Sequence, residues 1–265
     1  MFSVVLATHN EAANLAKCLD AIKDLADEII IADGESTDDT VKIALHYGAK
    51  IINTTNKANF HINKQLAMDA AQGDLILQLD ADEVVDEELH QFIKNLHEQI
   101  RQKNTTDLPA AWWLKRKNWF MGKFLRKGGQ YPDPVIRLYQ RGKAKLPQKD
   151  VHEQMAVEGK VGWAGGHLLH YSNPTFADYL RKFNTYTNFK AAQLYEQKIP
   201  ISVLNSANYF FFKPLATFFS LYLRHRGYVD GVPGFTFALF SGLHHVFAYL
   251  KLWEIYEKHR LRSVK

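Results

Sequence analysis

Apolar positions in the N-terminal part of the chain alternate between two periods. Ser3–Thr8 (SVVLAT) is a short continuous apolar run and predicts a buried strand. Glu11–Leu25 places Ala12, Leu15, Leu19 and Ile22 at helical spacing. Glu28–Asp33 (EIIIAD) predicts a second strand, Thr37–Tyr47 a second helix and Ala49–Ile52 a short third strand. His61–Ala71 reads as a helix, Asp74–Asp80 (DLILQLD) as a strong strand and Asp86–Gln102 as a helix. Strands alternating with helices predict an α/β fold, a mostly parallel sheet with helices on both faces. Such sheets bind ligands beyond the carboxyl ends of their strands.

The stretch Pro109–His170 is less regular and rich in Trp, Arg, Lys and Gly, which predicts long loops lining a cleft. From Thr175 the pattern turns helical to the end, with very apolar stretches at Tyr209–Leu223 and Val232–Tyr256. Lys213 and Pro214 interrupt the first, and Pro233, His244, His245 and Lys251 the second. A spanning helix needs roughly 20 apolar residues, so both are expected to lie in a membrane interface or to pack on the catalytic core. The expected organisation is a catalytic domain at 1–170, split at 103/104 into a nucleotide-sugar and metal half and an acceptor half. The remainder, 171–265, is expected to be a basic helical extension.

Charge sharpens this division. The 265 residues carry a net charge of +5, but His170–Lys265 alone holds 12 Lys and Arg against 5 Asp and Glu. A basic tail suits anionic lipid, an acidic acceptor or nucleic acid. No nucleic-acid-binding motif accompanies it, so nucleic acid is not expected as a partner. Cys18 is the only cysteine, which excludes an intramolecular disulfide. No basic region precedes a long apolar stretch at the N-terminus, so no secretory signal is expected.

The candidate chemistry sits where strands end. Thr8, Asn10 and Glu11 follow the first strand, Asp33 closes the second, and Asp80 and Asp82 close DLILQLD. Paired carboxylates after a strand suit a hard cation such as Mg²⁺ or Mn²⁺, which bridges carboxylate to phosphate. They also suit an acidic helix start, with Glu83, Asp86, Glu87 and Glu88 favoured by the helix dipole. Asp33-Gly34 suits a tight turn, with Ser36 or Thr37 capping the next helix. Asp33 would otherwise accept from a base N–H. Arg137 is placed to meet phosphate or to pair a buried acid. Arg116, Lys123, Arg126 and Lys127 are candidates to face an acidic acceptor, and Trp112, Trp113 and Trp119 to stack on sugar rings or fill the core.

Taken together, SVVLATHNE, IIIADGESTDDT and AAQGDLILQLDADE, in that order and spacing, resemble the nucleotide-binding half of family 2 glycosyltransferases. The resemblance covers Phe2–Val85 and implies the GT-A fold, a Rossmann-like nucleotide-diphospho-sugar transferase fold. It implies that Thr8, Asn10, Glu11 and Asp33 hold the uridine part of a UDP-sugar, with Lys64 and Asp80 near the nucleotide. It also implies that Asp82 holds Mn²⁺ or Mg²⁺, with Asp80 near that metal or the ribose. His170, at the end of GGHLLH, is a candidate to complete the metal site, to touch the diphosphate or to be a hydrogen-bonded core histidine. The later segments WWLKRKNWFMGKFLRKGG, YPDPVIRLYQRGKAKL, DVHEQM and LLHYSNPTFADYLRKFNTYT resemble bacterial lipopolysaccharide core β-1,4-glucosyltransferase-type proteins. The reaction this resemblance implies is an inverting transfer of a hexose, glucose in the first instance, to a lipopolysaccharide-core or other glycolipid or oligosaccharide acceptor. One displacement needs one carboxylate base. In Asp150-Val151-His152-Glu153 that base is expected at Glu153, with Asp150 second. A peripheral place on the cytoplasmic side of the bacterial inner membrane, against its anionic surface, completes the expectation.

Two other classes stay in view. A sugar-phosphate nucleotidyltransferase shares a similar sheet, but its Gly-rich basic loop is replaced here by the acidic THNEAANL. A non-catalytic glycan- or lipid-binding protein on the same scaffold would be expected to lose its acids, whereas Asp33, Asp80, Asp82 and Glu153 all remain.

Overall fold

β1 (Phe2–Thr8), α1 (Ala12–Asp20), β2 (Glu28–Gly34), α2 (Thr40–His46), β3 (Lys50–Thr54), α3 (His61–Ala70) and β4 (Leu75–Leu79) alternate as the apolar pattern predicts. β5 (Glu83–Val85) and α4 (Glu87–Arg101) follow. These elements come from a computed structural model that describes residues 1–57, 59–102, 107–147 and 154–262. The chain divides into two compact units, Met1–Lys117 with Asp133–Tyr171, and Asn118–Pro132 with Ser172–Lys265.

The first unit is built on a sheet ordered β3-β2-β1-β4 in its N-terminal half, with β1 parallel to both β2 and β4, and β2 parallel to β3. Period-two alternation sorts the strand side chains onto two faces. Val4, Leu6, Ile29, Ile31, Leu75 and Leu77 join one core with Leu15 and Leu19 of α1, Ala44 of α2 and Ile93 of α4. Val5, Ile30, Ala32 and Ile76 join another with Ala67 and Met68 of α3. Helices therefore cover both faces.

The stretch expected to be loops is mostly strand, a correction to the sequence reading. β6 (Ala111–Phe120), β7 (Lys123–Phe124), β8 (Asp133–Gln140), β9 (Ala144–Lys145), β10 (Ala156–Val157) and β11 (Val161–Asn173) fill it. The sheet continues β4-β8-β6-β11-β5, with β8 antiparallel to β4 and β6, and β11 antiparallel to β5. Its basic and aromatic residues hide the signal, because one antiparallel face carries polar side chains and alternation is diluted by half-buried Lys and Arg.

The second unit is helical. α5 (Phe176–Glu196) starts at a capping box in which Thr175 and Asp178 satisfy each other's backbone amides. α6 (Val203–Ala207), capped by Ser202, runs through a π-helical turn at Asn208–Phe212 into α7 (Lys213–Phe219) and a second π-turn at Ser220–Arg224. α8 (Val232–Arg262) closes the unit, packing Tyr249 and Leu252 with Leu194 and Tyr209. Segment 118–132 belongs with these helices. The backbone N–H groups of Arg126 and Lys127 donate to the buried Asp230 carboxylate at 2.9 and 2.8 Å. Among the described residues no helix is long and apolar enough to cross a membrane.

Candidate active site

Three parallel strands deliver polar groups to one edge of the first unit. The β1–β2 register sets Thr8 beside Asp33. Thr8 Oγ1 donates to Asp33 Oδ1 at 3.0 Å, and Ser36 adds its N–H at 2.9 Å and its hydroxyl at 2.6 Å, so the buried Asp33 carboxylate is held rigidly. Asn10 takes a left-handed backbone, φ 55°, which Asn tolerates better than most residues. Its Oδ1 accepts from Thr37 N–H at 2.8 Å, and its own N–H donates to Ser36 Oγ at 2.9 Å. The left-handed residue after Asp33 is Glu35, φ 61°, rather than Gly34. Gly34 is needed for proximity instead: a Cβ there would come within 3.1 Å of Asn56 Cα. Ser36 and Thr37 do not cap α2, which begins only at Thr40. They lock the β1 and β2 loops together. Glu11 stands at the start of α1, where its N–H donates to Thr40 Oγ1 at 2.7 Å and its carboxylate accepts from Asn14 at 3.0 Å.

The acids after β4 separate into two roles. Asp80 ion-pairs with Lys64 of α3 on one oxygen and with Arg137 of β8 at 2.6 Å on the other. Burial alone would raise its pKa, but Arg137 and Lys64 together hold it well below the ordinary carboxylate range. Burial pulls Lys64 down more than Asp80 lifts it, since Lys64 must share that one anion with Arg137. Glu83, fully buried in β5, accepts Asp80 N–H at 3.0 Å and receives Arg116 at 3.2 Å and Arg137 at 3.5 Å. Arg116 also donates to Asp133 at 2.9 and 2.7 Å. Gln78 accepts from Arg137.

Asp82 faces elsewhere. β11 runs antiparallel to β5, setting His170 opposite Glu83, and Tyr171 N–H donates to Asp82 O at 2.8 Å. His170 Nε2 thereby lies 3.5 Å from Asp82 Oδ2, with both side chains partly exposed. Cys18 donates to Asp80 O at 3.7 Å. Burial first, then the carboxylates of Glu83, Asp82, Asp80 and Glu11, push its thiol pKa well up. Among the described residues no set of three or more His, Cys, Asp or Glu converges as a metal cage.

The structure therefore brings together Thr8, Asn10 and Asp33 on the β1–β2 side, and Lys64 with Asp80 and Asp82 with His170 around the β4 end. Glu153 and Asp150 lie outside the described residues. Trp112 is core, and Trp113 tilts against Trp163 with centroids 6.1 Å apart. Glu83 and Gln78 were not singled out as site residues in the sequence. The signal for Glu83 was its place directly before two β-branched residues, which makes a strand rather than a helix start.

Residues 3–131, which include Thr8, Asn10, Glu11, Asp33, Lys64, Asp80 and Asp82 but not Asp133, Arg137 or His170, match the family model Glycosyl transferase family 2. The chain carries a family 2 glycosyltransferase domain. Relatives extend the likeness beyond it. An uncharacterized glycosyltransferase of Rickettsia typhi is 28% identical over 267 residues, covering 97% of this chain and 88% of that one. The lipopolysaccharide core biosynthesis glycosyltransferase LpsC of Rhizobium meliloti is 29% identical over 270 residues, covering 96% and 91%. Among solved structures, S. aureus TarS 1–349 aligns with a TM-score of 0.47 at 14% identity, covering 100% of this chain and 92% of that one. The β11 strap that carries His170 thus lies beyond the matched domain but within the span shared with both relatives.

Proposed function

We propose that this glycosyltransferase moves a hexose, glucose in the first instance, from a UDP-sugar to a lipopolysaccharide-core or similar glycolipid acceptor, with inversion and with a divalent cation. The observation that carries the reading is the division of labour at the strand ends. A preorganised acceptor, Asp33, suits the N–H of a base ring, while Asp82 and His170 stand together at the far side as cation donors. The acceptor class draws on the likeness to the Rhizobium meliloti relative, and the donor class on the resemblance of the N-terminal motifs.

The residues present fit a cation of the Mn²⁺ kind. A partly exposed carboxylate oxygen and an imidazole nitrogen 3.5 Å apart form a mixed O/N donor pair, and diphosphate oxygens and water commonly complete such sites. Asp80, engaged by Lys64 and Arg137, is a poorer ligand and instead fixes the turn that presents Asp82. A bound cation supplies charge stabilisation to the departing diphosphate. The chain's own groups do the rest. Asp33, held by Thr8 and Ser36, orients the nucleoside. Asn10 and Glu11 shape the loop beside it. Glu153, with Asp150 second, takes the proton of the attacking acceptor hydroxyl. We place the enzyme at the cytoplasmic face of the inner membrane, where its acceptor is anchored.

A donor screen tests this. UDP and GDP release are measured across a panel of nucleotide sugars with Mn²⁺, with Mg²⁺ and with chelator. The expected result is UDP release that needs the cation, with UDP-glucose preferred, and a Glu153→Gln variant that binds donor normally but transfers on the order of 10³-fold more slowly. Metal-independent release, or release of GDP alone, contradicts the reading.

A further inference from the structure

The helices of the second unit present an apolar face whose surroundings say what covers it. In the run α6–α7 with its two π-turns, Phe211, Leu215, Phe219 and Leu223 recur every fourth residue, and all are exposed. In a uniform α-helix of about 3.6 residues per turn that spacing drifts around the axis. The π-turns at 208–212 and 220–224 close on longer i→i+5 bonds and underwind the chain. The stripe is thereby kept on one side. Phe235 of α8 extends the face, meeting Phe218 edge-on with centroids 5.6 Å apart and Tyr222 likewise at 5.6 Å. Phe212, beside the stripe, is 70% exposed, and Phe219 51%. Contiguous apolar surface of this kind marks an interaction site.

Charge chooses the partner. From Ile199 to Trp253 the only acid is Asp230, and it is 1% exposed. Its carboxylate is consumed inside the unit by the Arg126 and Lys127 amides and by Lys123 and Arg126, 3.8 Å away in each case. Gly128 N–H donates to His225 O at 2.9 Å, and Gly227 leaves room for the turn beside it, since a Cβ there would lie 2.8 Å from Leu221 O. This clamp brings the exposed cations Arg126 and Lys127 to the exposed Arg224 and Arg226, at the end of the apolar stripe. An aromatic face with a cationic rim and no surface acid suits the headgroup boundary of an anionic bilayer, where rings bury among acyl chains and cations meet phosphate.

We infer that the stripe Phe211–Leu223 with Phe235 is the surface by which this protein lies on an anionic lipid bilayer, clamped to its cationic rim by Asp230. The inference rests on the membrane-facing reading above and gives it a surface. The test is flotation of the full chain with phosphatidylcholine vesicles made with and without phosphatidylglycerol, alongside UDP release from the donor in the absence of lipid. Wild-type protein floats with the phosphatidylglycerol vesicles, less at high salt. Phe212→Ser with Phe219→Ser lowers partitioning on the order of tenfold per ring, and Arg224→Glu lowers it at least roughly fivefold. Both variants release UDP at the wild-type rate, which shows that they fold. If wild type and variants float alike, this face is the wrong one although the membrane reading stands. If wild-type protein releases UDP but floats with neither vesicle, the membrane reading falls with it, and the transferase reading stands. If wild type is a dimer that Phe212→Ser with Phe219→Ser converts to monomer, a second copy covers the face and the lipid assignment is overturned.

Discussion

Arg137 shows what one side chain decides in this site. It lies buried between Asp80, Glu83 and Gln78, so it neutralises carboxylates that could not otherwise stay charged there. Its own pKa is lifted: burial opposes the charge, and Asp80 and Glu83 more than restore it. Removing one partner of such a network strands the others. Arg137→Met is therefore expected to cost about 3–5 kcal/mol in urea unfolding. Asp80 adds a pH signature. Its folded pKa lies below the unfolded value of about 3.9, so its stabilisation is present at neutral pH and is lost as pH falls below about 4. The stability gap between wild type and Asp80→Asn should accordingly narrow from pH 7 towards pH 3, a trend that urea titrations at stepped pH would read directly. The sequence offered Arg137 two partners, phosphate or a buried acid, and the fold takes the second. That choice was not legible because Glu83 read as part of a helix start, and only the pairing of β5 with β11 buries it.

At the scale of elements, the parallel half was readable and the antiparallel half was not. Continuous apolar runs such as SVVLAT and EIIIAD have no other stable reading once both faces are covered, and β1 and β2 follow them closely. β6 and β11 mix Trp, Lys, Arg and Gly along strands of 10 and 13 residues, and their identity comes from pairing partners distant in the chain. β11 matters most, since it carries His170 to Asp82. Its path depends on Gly166, which sits at φ +74°, and a Cβ there would overlap the backbone nitrogen of Leu89 at the start of α4. Beside it, Asp86 caps α4, accepting Leu89 N–H at 3.0 Å and His167 N–H at 2.9 Å. Gly166→Ala should thus destabilise the protein by about 2–4 kcal/mol. It should also raise the cation concentration needed for half-maximal UDP release; unchanged cation dependence in a destabilised variant would mean that β11 does not position the site.

Across the whole molecule, a family 2 glycosyltransferase domain supplies the strand-end groups, and the remaining chain supplies the strap and a separate helical unit. The start of the helical part was legible. Thr175 does open the helical part with its capping box, but segment 118–132 joins the helices through Asp230, a contact spanning over a hundred residues that no local pattern announces. At this scale the proposed activity depends on one arrangement: nucleoside at Asp33, cation and diphosphate at Asp82 with His170. Asp82→Ala is expected to lower UDP-forming turnover on the order of 10³-fold, and Asp33→Ala to weaken donor binding without removing the cation requirement. The most direct measurement is a crystal soaked with UDP and Mn²⁺, read by anomalous scattering at the manganese edge. A single manganese peak is expected within bonding distance of Asp82 Oδ2, with the uracil ring against Asp33. Manganese and nucleotide bound elsewhere, away from both aspartates, would contradict this arrangement.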